Sequence, residues 1–266
     1  MSPRRRLLAA VATLAGLAAI LIAGGWVAFA HLGRTGAVLS RTGFPPPDRP
    51  GPVLLVPGYG GGTAGLDVLA RQLRAAGRVA TVVRPIGDGT GDLAAQARVL
   101  DRYVASALRG GVPSVDVVGF SAGGVVALLW NHDHDGPHKA RRVVTLGAPF
   151  HGTELAATGA MLAPDACPTA CQQLVPGSSL LTRLASGVPG DHPEWLSLWT
   201  VQDQTVTPPD SARLAGAINV PLQSVCPGLQ VQHGGLPANP VVAGIVVRAL
   251  GTAPLIAPAP EDCTSS

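Results

Sequence analysis

Charge and aromatic rings are scarce in this chain. Of its 266 residues, Asp, Glu, Lys and Arg make up 13%, and Phe, Trp and Tyr 4%. Arg4, Arg5 and Arg6 account for the whole formal charge of +3, because taking those three from the 19 basic residues leaves 16 against 16 acidic ones. A neutral body without a basic stripe argues against a nucleic-acid partner. The phosphate-gripping patterns are missing as well. No G-x-x-x-x-G-K-[ST] occurs, and no G-x-G-x-x-G follows a strand in register, so nucleotide binding is not expected. Histidines and aspartates cluster as His132-Asp133-His134-Asp135 with His138. Their spacing fits no defined metal site, and the segment reads as a solvated polar loop. No metal or organic cofactor is expected. No internal repeat is present, and the length suits one α/β domain with a full-sized core.

Charge is missing altogether from residues 7–30, directly after the three arginines. That run exceeds the ~18 apolar residues of a membrane-spanning helix, which predicts an uncleaved signal anchor. Ala28-Phe29-Ala30 is an A-x-A pattern, so a cleaved signal peptide stays open, and Arg4-Arg5-x-Leu7-Leu8 resembles a twin-arginine signal. Arginines flank the span on both sides and leave its orientation undecided. The four cysteines, Cys167, Cys171, Cys226 and Cys263, all follow the span. An even count beyond an export signal favours an oxidising compartment and disulfides, with Cys167–Cys171 and Cys226–Cys263 as the expected pairs. The body is therefore expected outside the cytoplasm, either anchored to a membrane or secreted.

Residues 31–52 read as a linker stiffened by Pro45, Pro46, Pro47, Pro50 and Pro52. Residues 53–56 form an apolar run bounded by prolines, as in a buried parallel strand. A glycine-rich loop at 58–62 leads into a helix over 63–76, and a second strand covers 79–83. A helix is predicted over 92–108 with Asp92 as its N-cap. Strands follow at 115–118 and 142–146. Residues 150–193 hold several Gly and Pro and read as an insertion of short helices. The last strands are predicted at 195–201 and 219–225, with the last helix inside 237–250. The segment 252–266 reads as a loose Pro-rich tail. Strands alternating with helices predict a mostly parallel sheet of about six strands with helices on both faces, over residues 53–251.

Gly119-Phe120-Ser121-Ala122-Gly123 matches G-x-S-x-G. In so glycine-rich a chain an accidental match is expected about 0.2 times, so the context decides. A short β-rich run precedes it, and an unbroken apolar helix candidate over 125–130 follows. Strand, tight turn and helix are what the motif needs to expose a serine hydroxyl as a nucleophile.

Together with three other segments, the motif carries a resemblance. These are Val53-Leu-Leu-Val-Pro-Gly-Tyr-Gly-Gly, Leu146-Gly-Ala-Pro-Phe-His-Gly-Thr, and Asp203 with His233-Gly234-Gly235. Over about residues 50–250 the chain resembles lipases of the α/β-hydrolase fold, specifically the small bacterial secreted ones. The resemblance implies a serine nucleophile, an acid and a histidine in that chain order. One departure is Pro57-Gly58, where many relatives have His-Gly.

The residues argue for the same assignment. A histidine must take the serine proton, and an acid must hold that histidine's tautomer, each on a loop after a later strand. Of the histidines after Ser121, only His233 follows the last strand, and Gly234 and Gly235 are expected to leave its ring exposed. Asp203 follows the strand at 195–201. The rival acid Asp210 reads instead as the cap of a helix starting near Ser211. The oxyanion needs two N–H donors, expected from Ala122 and Tyr59. His151 borders the cleft, but precedes Asp203. Leu174, Leu180, Leu181 and Leu184 read equally as acyl pocket or ordinary core. The expected activity is carboxylester hydrolysis, on lipid or acyl esters, through an acyl-enzyme on Ser121. Acyl transfer to an alcohol is the alternative on the same triad, and an inactive membrane-tethered binding protein is the alternative from another class. The expected form is a monomer.

Overall fold

The computed structural model describes residues 43–188 and 190–264. Six strands form one sheet in the order β2-β1-β3-β4-β5-β6, every neighbouring pair parallel. They are β1 (Val53–Val56), β2 (Ala80–Val82), β3 (Val115–Phe120), β4 (Ala140–Leu146), β5 (Glu194–Trp199) and β6 (Ile218–Pro221). All residues of β1 and β4 are buried, as expected of strands covered on both faces. Four longer helices provide the cover: α1 (Ala64–Ala75), α2 (Leu93–Arg109), α3 (Ala122–Asp133) and, near the end of the chain, Pro240–Ala249. In α1, Leu66, Leu69, Ala70 and Leu73 bury one helical stripe, and the same spacing recurs along α2. Asp92 caps α2 as expected, accepting from the Ala94 and Ala95 N–H groups. Helix α3 buries every residue from Ala122 to Asn131 and is the central helix of one face. It packs there with α2 and the insertion, while α1 and Pro240–Ala249 cover the opposite face.

The insertion contains α4 (Glu154–Leu162), α5 (Thr169–Gln173) and α6 (Ser179–Leu184) and, among the described residues, no strand. Other boundaries differ from expectation. β5 stops at Trp199, so Asp203 lies four residues beyond it. β6 stops at Pro221, which has no N–H for a further rung, and Leu222–Val225 winds into a helical turn, α7. The final long helix is thus α8. Asp210 caps no helix: Pro208 holds the cap position of the short 3-10 segment Pro209–Ala212, and Asp210 lies inside it.

Part of the expected linker, and the tail expected to be loose, are docked. Phe44 stacks on His138 and His192, Arg141 Nη1 donates to Pro47 O, and Ser114 Oγ donates to Arg49 O, so residues 44–49 lie on the body. In the tail, Cys263 is bonded to Cys226 and Arg248 pairs with Asp262 at 2.7 Å. Both disulfides are the expected pairs, with Cα atoms 5.2 Å apart in Cys167–Cys171 and 5.5 Å apart in Cys226–Cys263. Replacing Cys226 and Cys263 together by serine should lower stability by about 2–4 kcal/mol, read by urea unfolding. No loss would show that this cross-link contributes nothing to stability. The expected span at 7–30 lies outside the described residues. Among the described residues, no helix is long and apolar enough to cross a membrane.

At the N-terminal ends of the strands lies a buried ionic cluster. Asp116 accepts from Arg141 Nε at 3.0 Å, Arg141 Nη2 at 2.7 Å and Arg78 Nη2 at 2.6 Å. Arg141 and Arg142 also donate to the carbonyls of Ala249, Leu250 and Gly251 at the end of α8, and Arg78 donates to Leu250 O. These cations satisfy the orphan carbonyls and the negative end of that helix.

Asp101 couples α2 to α3 by accepting from Trp130 Nε1 at 3.1 Å, and it also accepts from Lys139 Nζ at 2.9 Å. Burial pushes its carboxyl up, but the hydrogen bonds from Lys139 and Trp130 outweigh this and hold it below the ordinary carboxylate value. A lowered folded value means that the stabilisation is present above the unfolded pKa, near 4, and is lost as pH falls through the folded one. Between about pH 5 and 2, the urea midpoint of Asp101→Asn should therefore fall less steeply than that of the wild type. Parallel profiles would remove Asp101 from the acid-sensitive set.

Candidate active site

β3 delivers its last residue, Phe120, to a turn that leaves Ser121 at φ 53° and ψ −129°. Positive φ is costly for a residue with a Cβ, and such strain is characteristic of a serine held up between strand and helix. The Ser121 N–H donates to Leu146 O at 2.9 Å, and its carbonyl accepts from the Gly124 N–H at 2.9 Å. The flanking glycines are required by close packing. A Cβ on Gly119 would lie 2.6 Å from Gly124 Cα, and one on Gly123 would lie 2.3 Å from Val56 O. The turn therefore closes only with glycine at both positions.

The loop after β1 comes against the same serine. A Cβ on Gly58 would stand 2.9 Å from Ser121 Cβ. Gly58 O accepts from the Gly61 N–H at 3.1 Å, closing a tight turn around Tyr59 and Gly60. Neither the Tyr59 N–H nor the Ala122 N–H has an acceptor among the described residues. Ala122 opens α3, whose N-terminal end adds a positive field beside Ser121. A small apolar pocket adjoins Gly58 and Ala122, with Pro57, Val83, Pro85 and Leu93 among its other walls. Val83, Pro85 and Leu93 were not expected as site residues. Val83 and Pro85 follow β2 directly and Leu93 opens α2, and no motif marks any of the three.

Asp203 and His233 are brought together. Asp203 Oδ1 accepts from the N–H groups of Thr205 at 2.9 Å and Val206 at 2.8 Å. Its Oδ2 is left for His233 Nδ1, 2.6 Å away. A proton on Nδ1 in that contact leaves Nε2 as the basic nitrogen. The imidazole lies beside Phe120, with ring centroids 5.1 Å apart. A Cβ on Gly147, just past β4, would be 3.1 Å from Nδ1. Against expectation His233 is only 7% exposed. It begins the 3-10 segment His233–Ala238, which the fully buried Leu236 anchors, so Gly234 and Gly235 do not open the ring to solvent. Among the described residues Ser121 Oγ has no hydrogen-bond partner, as is common before substrate tightens such a site.

The remaining candidates lie elsewhere. His151 is bound to Ser211 through its Nδ1 and its backbone N–H, and makes no contact with Asp203. Leu174, Leu180, Leu181 and Leu184 are buried in the core around α3. Leu181 and Leu184 also wall a second cleft, with Phe150, His151 and Leu214, that does not include Ser121. The histidine cluster is a solvated loop only in part, with Asp133 and Asp135 exposed. His132 and Asp133 complete α3, and His132 Nε2 meets Gly187 O at 2.9 Å. His134 faces Asp101, and His138 pairs with Asp135. Among the described residues no group of His, Cys, Asp and Glu is arranged to hold a metal ion.

With a six-stranded parallel sheet, a strained serine between β3 and α3, and an Asp–His pair at the strand ends, the chain has the α/β-hydrolase fold. No protein-family model matches it, and neither does any curated protein sequence. Solved structures do. Lipase B of Aspergillus fumigatus superposes with a TM-score of 0.65 at 19% identity, over 79% of this chain and 54% of that enzyme. A structure described under two metagenome-derived lipolytic enzymes, LipS and LipT, gives 0.56 at 14% identity, over 76% of this chain and 94% of that one. The mature lipase BlEst2 of Bacillus licheniformis gives 0.53 at 20% identity, over 66% of this chain and 84% of its own. This chain thus spans little more than half of the Aspergillus enzyme, and at these identities the likeness is one of fold.

Proposed function

We propose that this protein is a serine carboxylester hydrolase acting on lipid or acyl esters. The observations that carry the reading are the strained Ser121 at the β3–α3 turn and the Asp203–His233 pair closed at 2.6 Å, whose imidazole lies against Phe120, the residue before Ser121. In this reading His233 Nε2 takes the hydroxyl proton as Ser121 Oγ attacks the ester carbonyl. Asp203 holds the tautomer and stabilises the imidazolium that forms. The N–H groups of Tyr59 and Ala122 donate to the developing oxyanion. His233 then returns the proton to the leaving alcohol, and water activated by the same nitrogen releases the acid from Ser121. No cofactor is needed for this sequence of steps.

Lipases and esterases among the structural neighbours support the substrate class. Two disulfides and the apolar segment at 7–30 support a domain working outside the cytoplasm, anchored or secreted. The test is hydrolysis of p-nitrophenyl esters from acetate to palmitate. Medium chains should give the highest kcat/KM. Activity confined to acetate, or to peptide bonds, would overturn the lipid-ester reading.

A further inference from the structure

We propose that Thr200 is a positioning residue for the base, acting through the backbone of Val231; this rests on the Ser121–His233–Asp203 reading above. Acid and base sit on separate loops. Asp203 follows β5, whereas His233 comes 30 residues later, after β6 and α7. Chain connectivity alone does not fix their contact.

Thr200 is fully buried where the two loops meet. Its hydroxyl donates to Val231 O at 2.7 Å. It accepts from the Gln202 N–H at 3.1 Å and from Gln223 Nε2 at 2.9 Å. One donor and two acceptor sites complete a hydroxyl's capacity, so the group is saturated. The Val231 N–H donates to Gln202 Oε1 at 3.1 Å. Both polar backbone groups of Val231, two residues before His233, are thus held by side chains of the acid loop. Gln223 closes the frame from α7. Its Oε1 accepts from the Val201 N–H at 3.0 Å, and its Nε2 also donates to Leu229 O at 3.2 Å. Every partner of the Thr200 hydroxyl belongs to the acid loop, to the base loop or to this clamp. The network therefore sets the register between Asp203 and His233. A shift of about 1 Å at a reacting group costs on the order of 10²-fold in rate.

Thr200→Val keeps the volume but leaves Val231 O and the Gln202 N–H without partners. The test compares kcat and KM on p-nitrophenyl butyrate, normalised to the sites on Ser121 that a fluorophosphonate labels to completion. Thr200→Val should lose about 10–100-fold in kcat, with KM within about 2-fold, because the network does not reach the pocket. Thr200→Ser, which restores the hydroxyl, should return to within about 3-fold of wild type. Should Thr200→Val fail to fold, Gln223→Met removes the clamp from a half-buried position and should lose about 3–10-fold in kcat. Unchanged kcat per labelled site in the variant that folds would overturn the inference, whatever happens to Tm. Wild-type protein that takes no label on Ser121 would instead overturn the triad reading, and this inference with it.

Discussion

Ser121→Ala should reduce p-nitrophenyl ester turnover by about 10⁴-fold or more, while the protein still folds. The size follows from the role. Without the nucleophile there is no acyl-enzyme, and only oxyanion stabilisation and binding remain. Little stability should be lost, because Ser121 Oγ has no hydrogen-bond partner among the described residues and alanine fits the same space. The positive φ of Ser121 is a cost that alanine carries equally. Asp203→Asn separates the roles further. Its amide can turn an N–H toward Nδ1 and favour the wrong tautomer, so a loss of about 10³–10⁴-fold in kcat is expected with the fold intact. Kinetics and thermal unfolding on the same preparations check both variants. Most of the activity remaining in Ser121→Ala would rule out the acyl-enzyme route.

The largest effect on stability should come from the other end of the same strand. Asp116 is fully buried, and its carboxylate is the shared partner of Arg78 and Arg141, themselves nearly buried. Asp116→Ala leaves two guanidinium groups without their counter-charge, which costs about 3–5 kcal/mol when the pair is buried. For a domain of this size that is a fall in Tm of roughly 10 °C. The carboxylate lies at the start of β3 and Ser121 just past its end, so kcat per folded molecule should be unchanged. A shift below about 2 °C would mean that the arginines are satisfied by the α8 carbonyls alone.

How much of this was legible depended on whether the physics was local. The serine turn could be read because glycines, strand and helix are consecutive in the chain. The alternation of apolar runs with helical stripes gave the parallel sheet, and Asp92 gave the start of α2. Asp203 and His233 were reachable by chain order, but the burial of His233 was not. It depends on Leu236 and on the contact with Phe120, which only the fold brings near. β6 was read too long because the apolar residues of α7 look like strand until Pro221 is weighed. Residues 44–49 read as linker and the tail as loose because the contacts that hold them, to His138, Arg141 and Arg248, carry no motif in the sequence. Thr200, Gln202 and Gln223 carry no motif at all. Their hydrogen bonds exist only once two loops meet.

The most direct measurement of the central claim is covalent. Wild-type protein is treated with a fluorophosphonate, digested, and mapped by mass spectrometry alongside Ser121→Ala and His233→Ala. One adduct on the peptide containing Ser121 is expected, absent in Ser121→Ala and formed far more slowly in His233→Ala. A label on any other serine, or no label on protein that hydrolyses esters, would contradict Ser121 as the nucleophile.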